Sequence, residues 1–420
     1  VNALLVNTSD IEGGAARAAY RLHKGLQKIG LTSKMLVQSK SSSDHSVYGP
    51  LSKADKIRSN LQPSIDNLPV HLYRNRVKSP WSISWLPSKI VRSIQTLNPD
   101  IIHLHWINHG FVPIHALGKF KKPIIWTLHD MWAFTGGCHY SGSCTGYLLG
   151  CGSCEQLKST SAKDLSSQVL KWKRNAWEDI NLTVVTPSTW MAECARTSSV
   201  FKDVRVEVIP NGIDLERFKP LDKTFARQML NLPQDKRLIL FGAMSATSDP
   251  RKGFQYLQQA LLDLAEKQLL PDTELIVFGS DPPANPVPLG MPVHYTGRLN
   301  DDISLTLLYS AADVFLSPSL EDNLPNTVME AMACGVPCVA FEIGGIPDLI
   351  THLQNGYLAK AFEVNDLAYG IKWVIEHEDR RTRLSHDARA KVESSFELSH
   401  IASCYSQLYE EVLQGSRMRA

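Results

Sequence analysis

The chain has 420 residues, more than the roughly 250–300 at which a single hydrophobic core stops growing, so two domains are expected. Its 43% hydrophobic and 20% charged content is that of an ordinary globular protein. Its apolar runs are far shorter than the roughly 20 residues of a spanning helix, and no basic-then-apolar leader is read at the start, so a cytoplasmic protein is expected. A net charge of +2 hides an asymmetry, with 25 Lys+Arg against 14 Asp+Glu in residues 1–210, leaving 19 against 28 in the rest. The basic first half is expected to meet something anionic, or to carry an ordinary solvated face.

In chain order, 1–7 reads as a buried strand. A loop with Gly13 and Gly14 follows, then a helix over 16–29 closed by Gly30. Further strands are predicted at 33–38, 101–104, 124–128, 183–186 and 205–209, with helices at 87–96, 113–119 and 165–179. The pattern restarts after Pro210-Asn-Gly-Ile-Asp214, a turn or linker. Strands follow at 237–241, 274–278, 293–295, 314–317 and 337–341, and helices at 253–267, 303–311, 326–334, 366–377, 379–394 and 398–413. Alternating strands and helices predict an α/β protein of two Rossmann-like domains facing each other across a cleft. The expected division is 1–208 for the first Rossmann-like domain, with a Cys-rich loop at 131–157. Residues 209–394 are expected to form the second Rossmann-like domain, and 395–420 a terminal helix packing back on the first. Pro282 to Pro288 reads as a stiff surface loop without chemistry.

The most informative stretch runs from Pro318 to Pro337. A strand end leads through a loop holding Asp322 and Asn323 into a helix with Leu324, Pro325, Asn326 and Thr327 at its start and Glu330 one turn further in. Amide groups at a helix N-terminus suit an anionic or oxygen-rich ligand. A loop carboxylate can accept from sugar hydroxyls, and a helical one can grip a vicinal diol. The bland alternative is a pair of capping acids.

The two carboxylates with seven residues between them, followed by Glu330-Ala-Met-Ala-Cys-Gly-Val-Pro337, resemble the signature of the retaining glycosyltransferases of family 4. The resemblance implies the GT-B fold and transfer of a sugar from a nucleotide-diphosphate donor to a hydroxyl of a saccharide or lipid-linked saccharide. No divalent metal is expected in catalysis. This sequence has Asp322 where the family has Glu, and Asn323-Leu-Pro-Asn326 in place of a Gly-rich run. Asp249-Pro-Arg-Lys-Gly-Phe254 is similar to the family's phosphate-binding loop, which assigns Lys252, assisted by Arg251, to the diphosphate. An Arg usual after the preceding strand is replaced by Gly242-Ala-Met-Ser245, with Arg251 or Arg298 as substitutes. Gly13 and Gly14 match the family's N-terminal glycine loop, and His129 a histidine near the transferred sugar. His103 and His105 are weaker candidates at a strand end. The site so assigned has His129, Asp322 and Lys252 as catalytic groups. Gly13, Gly14, Arg251, Lys252, Asn323 to Thr327 and Glu330 hold the donor.

Cys138, Cys144, Cys151 and Cys154 fall within seventeen residues rich in Gly and Ser. Structural zinc, disulfides or redox chemistry, and unligated thiols all stay open. The stretch 129–157 resembles a bacterial exopolysaccharide branch of the family that includes colanic-acid enzymes. Eight basic residues against two acids between Lys53 and Arg92, with Trp81 and Trp85 among them, suit peripheral contact with an anionic membrane or an ordinary soluble surface. No nucleic-acid module accompanies the charge, so nucleic acid is not an expected partner. A nucleotide-sugar epimerase or hydrolase on the same fold, or a non-catalytic nucleotide-sugar-binding subunit, is the competing reading.

Overall fold

A computed structural model describes residues 1–417 except 244, 245, 284, 285 and 300. Met244 and Ser245, at the place of the missing Arg, lie outside the described residues, as do Ala284 and Asn285 of the Pro-rich loop. The chain forms two compact units, Val1–Gly212 together with the stretch from Ser399 onward, and Ile213–Leu398.

The first unit is built on a parallel seven-stranded sheet in the order β3-β2-β1-β4-β5-β6-β7. The strands are β1 (Asn2–Ser9), β2 (Thr32–Ser39), β3 (Val47–Tyr48), β4 (Ile101–Leu104), β5 (Ile124–Thr127), β6 (Leu182–Thr186) and β7 (Arg205–Val208). Its central strands are buried along their whole length, as parallel strands covered on both faces must be. On one face the helix Gly14–Lys28 places Ala19, Leu22 and Leu26 against Ala3, Leu5 and Val37. The terminal helix Leu398–Arg417 covers the same face with Ile401, Tyr405, Leu408 and Tyr409. Each such side chain contributes about 1.5–3 kcal/mol when fully buried. The opposite face carries an aromatic cluster of Trp126, Trp132, Phe134, Trp177 and Phe201.

The second unit repeats the plan with six parallel strands in the order β10-β9-β8-β11-β12-β13. These are β8 (Arg237–Gly242), β9 (Thr273–Phe278), β10 (Val293–Gly297), β11 (Val314–Ser317), β12 (Cys338–Phe341) and β13 (Gly356–Ala359). Helices Phe254–Glu266 and Val364–Glu376 cover one face. Asp302–Ala311, Asn326–Ala333 and Glu378–Ser395 cover the other.

Several elements depart from the expected ones. Residues 114–119 form a 3-10 helix rather than an α-helix. The edge strand β3 has only two residues, too few to show alternation. The helix Lys53–Asp66 carries an interior Pro63 and falls where no helix is predicted. Thr189–Thr197 and Lys223–Met229 are further unpredicted helices. Each carries a legible start signal, Ser188 accepting from the Met191 amide and Asp222 from the Phe225 amide.

Candidate active site

In both sheets the strand order reverses between the first strand of the unit and its fourth, β1 beside β4 and β8 beside β11. Open α/β sheets bind ligands at such switch points, off the carboxyl ends of the strands. In the second unit the loops that leave β8 and β11 carry Lys252 and Asp322. After β8 the chain makes a 3-10 turn, Pro250–Lys252, started by Asp249, whose Oδ1 accepts from the Arg251 amide at 3.0 Å. Gly253 ends the turn at φ 69°, and a Cβ there would lie 1.7 Å from the Pro318 carbonyl oxygen. Only glycine lets the turn press this closely on the end of β11. The Leu320 amide donates to the Arg251 carbonyl at 2.7 Å, and the Lys252 ammonium reaches Asp322 Oδ2 at 2.7 Å.

The phosphate-binding candidate and the sugar-binding candidate are thus one ion pair, half-shielded from water. Arg251 turns instead to its own loop, donating to Asp249 Oδ2 at 2.7 Å. Arg298 is exposed beyond the edge strand β10. Asp322 is held from behind as well. Its carbonyl accepts from the Gly345 amide at 3.1 Å, and a Cβ on Gly344, at φ 51°, would stand 2.0 Å from that oxygen. Asn323 and Leu324 are buried, and Pro325 starts the helix Asn326–Ala333, so Asn326 and Thr327 fall in its first turn. That turn presents backbone N–H groups and the positive end of the helix dipole. Glu330 is 3% exposed, and its Oε2 accepts from the Tyr309 hydroxyl at 3.0 Å. A diol-binding role for Glu330 therefore shares the carboxylate with a structural one. Tyr309 and Gly344 had no signal in the sequence.

In the first unit the loop after β1 is fixed by buried Asp10, which accepts from the amides of Ser41 and Ser42, both at 2.9 Å. Gly13, at φ 93°, opens the helix that begins at Gly14, and its carbonyl accepts from the Arg17 amide at 3.0 Å. His105 follows β4, and His129 follows β5. Nδ1 of His105 lies 3.0 Å from Nε2 of His129, and the rings stack at 5.3 Å. His103 is a core residue, hydrogen-bonded to the Tyr409 hydroxyl at 2.6 Å and to Thr127 Oγ1 at 2.8 Å. Half-buried His129 is the member of this ladder that reaches the surface. Asp130 anchors its loop by accepting from the Trp106 indole at 2.6 Å and the Trp132 amide at 2.9 Å, beside His139 Nδ1 at 2.6 Å. Burial alone would raise this carboxyl, but His139 and the donors hold it below its ordinary range.

Burial pushes His129, His109 and His23 down to about 4 and His103 to about 3, and takes His105 well below 6.5. These rings are neutral at pH 7 in the folded chain. Unfolded, they bind protons below pH 6.5, so stability falls as pH drops from about 6.5 to about 4. Unfolding at pH 5 is expected to take up about four protons more than at pH 8. The pH dependence of the unfolding free energy measures this, and a flat profile between pH 5 and 7 would contradict it.

Cys138, Cys144, Cys151 and Cys154 are free, partly buried thiols. Cys138 and Cys151 are pushed up to about 12 and about 11 by burial, and each also senses charge on Cys154. Among the described residues no three His, Cys, Asp or Glu side chains are arranged to hold a metal ion. The cysteine loop packs over fully buried Lys173, whose ammonium donates to the Trp132 carbonyl and, at 2.9 Å, to the Thr135 carbonyl. It sits 3.8 Å over the Trp132 ring, and burial lowers it to about 7. This lysine, unmarked in the sequence, ties the loop that follows His129 to the helix Leu165–Trp177.

Two Rossmann-like units in series, each on a parallel sheet, are the GT-B class of fold. Residues 12–217 match Glycosyltransferase Family 4, and residues 235–377 match the Glycosyl transferases group 1. The chain belongs to this glycosyltransferase family and is a transferase. It is 26% identical over 365 residues to the colanic acid biosynthesis glycosyl transferase WcaC of Escherichia coli K12, covering 81% of this chain and 83% of that one. It is 27% identical over 223 residues to an Escherichia coli UDP-Gal:alpha-D-GlcNAc-diphosphoundecaprenol alpha-1,3-galactosyltransferase, covering 50% of this chain and 55% of that one. Anabaena HepE, solved with UDP-glucose, superposes with a TM-score of 0.68 at 19% identity over 99% of both chains.

Proposed function

We propose that this glycosyltransferase moves a sugar, with retention of anomeric configuration, from a nucleotide-diphosphate donor to a hydroxyl of a saccharide or lipid-linked saccharide, in the synthesis of a bacterial surface polysaccharide. The observation that carries the reading is the Lys252–Asp322 pair at 2.7 Å, set at the switch point of the second sheet beside a helix N-terminus. Lys252 would neutralise the charge that develops on the departing diphosphate, and the first-turn amides of the helix from Asn326 would add to it. The helix amides are fixed before the reaction and act without reorganisation, whereas Lys252 would turn from Asp322 toward the diphosphate. The reading therefore invokes no divalent ion. Asp322 would take hydrogen bonds from the donor sugar, and the Glu330 carboxylate would grip the ribose diol. Neutral His129 would meet the transferred sugar as a hydrogen-bonding partner, since it carries no charge at pH 7. Gly13 and Gly14, at the N-terminus of their helix, would admit a phosphate close to the backbone. The acceptor hydroxyl would attack the anomeric carbon as the bond to the diphosphate breaks, and its proton would leave with the diphosphate oxygen. WcaC supports the polysaccharide assignment by its name, and the galactosyltransferase supports a uridine donor and a lipid-diphosphate acceptor.

Product analysis tests the proposal. The purified chain, supplied with mixed UDP-sugars and a membrane-lipid extract, should release nucleotide diphosphate only with acceptor present. It should form an equal amount of product whose new linkage keeps the donor's anomeric configuration. Acceptor-independent release would identify a hydrolase, interconverted donor an epimerase, and an inverted linkage would refute retention.

A further inference from the structure

The helix Lys53–Asp66 is inside out. Ile57, Leu61 and Ile65 stand four residues apart and so share one face, the pattern that normally marks the buried side of an amphipathic helix. Here that face is the exposed one, with Ile57 60% and Leu61 54% exposed. The polar side points inward instead. Gln62 donates to the Gly110 carbonyl, and buried Asp66 accepts from the amides of Ser84 at 2.9 Å and Trp85 at 3.1 Å. The helix is thus anchored by hydrogen bonds, while its apolar residues are held out in water, an arrangement the hydrophobic effect opposes unless something covers them. The stripe continues past the helix. Leu51 before it is 95% exposed, and Leu72 in the 3-10 turn Leu68–Leu72 after it is 81% exposed, with Leu68, Val77 and Trp85 also exposed. Trp85 joins the end of the helix by donating its indole N–H to the Asp66 carbonyl at 3.1 Å. It then rims an apolar groove of about 400 Å³ shared with Ile114 and Trp172.

The charge around this surface is one-sided. Lys53, Lys56 and Arg58 are on the helix itself, and Arg74, Arg76 and Lys78 follow the 3-10 turn in the chain. Of the two acids between Lys53 and Arg92, Asp66 is buried beneath the helix, and Asp55 is engaged by Lys89 at 3.1 Å. An exposed apolar stripe bordered by lysine and arginine, with an amphipathic tryptophan at its end, matches a bilayer interface. Apolar side chains enter the acyl boundary, the cations meet phosphate headgroups, and tryptophan sits at the level between. We infer that the surface formed by Leu51, the outer face of Lys53–Asp66, Leu72 and Trp85 docks on an anionic phospholipid bilayer. A soluble protein partner would need an acidic rim to match this charge, and a second copy of the same face would oppose cation to cation. Among the described residues no helix is long and apolar enough to cross a membrane, so the contact is a peripheral one.

Docking is separate from sugar transfer, and binding alone reports it. The full chain is sedimented with vesicles of phosphatidylcholine containing about 30 mol% phosphatidylglycerol, and with phosphatidylcholine alone, in about 0.1 M salt. Partitioning should be at least about tenfold stronger on the anionic vesicles. The exposed triple variant I57Q/L61Q/I65Q should reduce that binding by about tenfold or more. K53E/K56E/K78E should abolish the preference for anionic lipid. All six side chains point to solvent, so circular dichroism and the melting temperature should stay at the wild-type values, which separates lost docking from lost folding. Equal partitioning on both vesicle types, or undiminished binding by the glutamine variant, would overturn the proposal. So would a wild-type dimer in sedimentation velocity that the glutamine variant dissolves, since the occupant would then be a second copy.

Discussion

Replacing Lys252 by alanine is expected to lower kcat/KM for the donor by about 10²- to 10³-fold, the range found when one preorganised donor to a developing negative charge is removed. This ammonium is held by Asp322 at 2.7 Å, so the two residues act as a unit and their losses should not add. Asp322→Asn keeps the size of the side chain and removes its charge. It releases Lys252 toward the diphosphate, so donor KM should stay or fall while kcat drops. The double variant should lose less than the sum of the two singles. Steady-state kinetics on the four proteins of the cycle reads all of this. A Lys252→Ala enzyme within about threefold of wild type would remove Lys252 from the donor site.

Glu330 is the second large effect, and here stability and activity must be separated. Its helix is buried along Val328, Met329, Ala331, Met332 and Ala333, and its carboxylate is the acceptor for the Tyr309 hydroxyl. Alanine at 330 removes this acceptor from a buried hydroxyl, at a cost of up to about 1–3 kcal/mol, and adds a cavity. Glu330→Ala should therefore lose both melting temperature and turnover, which by itself decides nothing about the donor. Glu330→Gln retains an acceptor for Tyr309 and the same volume, so it should melt close to wild type. If the carboxylate grips a diol, turnover should still fall by at least about tenfold, because hydrogen bonds to a charged acceptor are roughly twice as strong as neutral ones. Denaturant unfolding and kinetics on the pair give the two readouts. A fully active Glu330→Gln enzyme would leave this residue a structural role alone.

Much of the fold is legible in the sequence because parallel strands covered on both faces become short, continuous apolar runs, as at Ile101–Leu104, Ile124–Thr127 and Val314–Ser317. The acidic loop and its helix are legible for a different reason, since Asp322, Pro325 and Glu330 keep a fixed spacing across a strand-to-helix turn. What holds these residues in place was not legible. The glycine that backs Asp322 comes twenty-two residues later, and Tyr409 meets His103 across 306 residues of chain. Spacing along a sequence says nothing of such partners. The helix Lys53–Asp66 shows another limit. Its apolar period could have revealed a helix, yet periodicity marks only that one face is apolar, not that this face is turned to solvent. The sequence reading of 53–92 as a basic stretch therefore missed the exposed leucines and isoleucines that give it a direction.

Hydrogen exchange of the backbone amides, with and without saturating UDP, most directly tests whether the turn at Pro250–Lys252 and the helix start at Asn326 hold the donor. The arrangement predicts that UDP slows exchange in peptides spanning 249–254 and 320–330, and that Lys252→Ala weakens both the protection and the affinity. Protection confined to other segments, with these two unchanged, would contradict the assignment of the donor site.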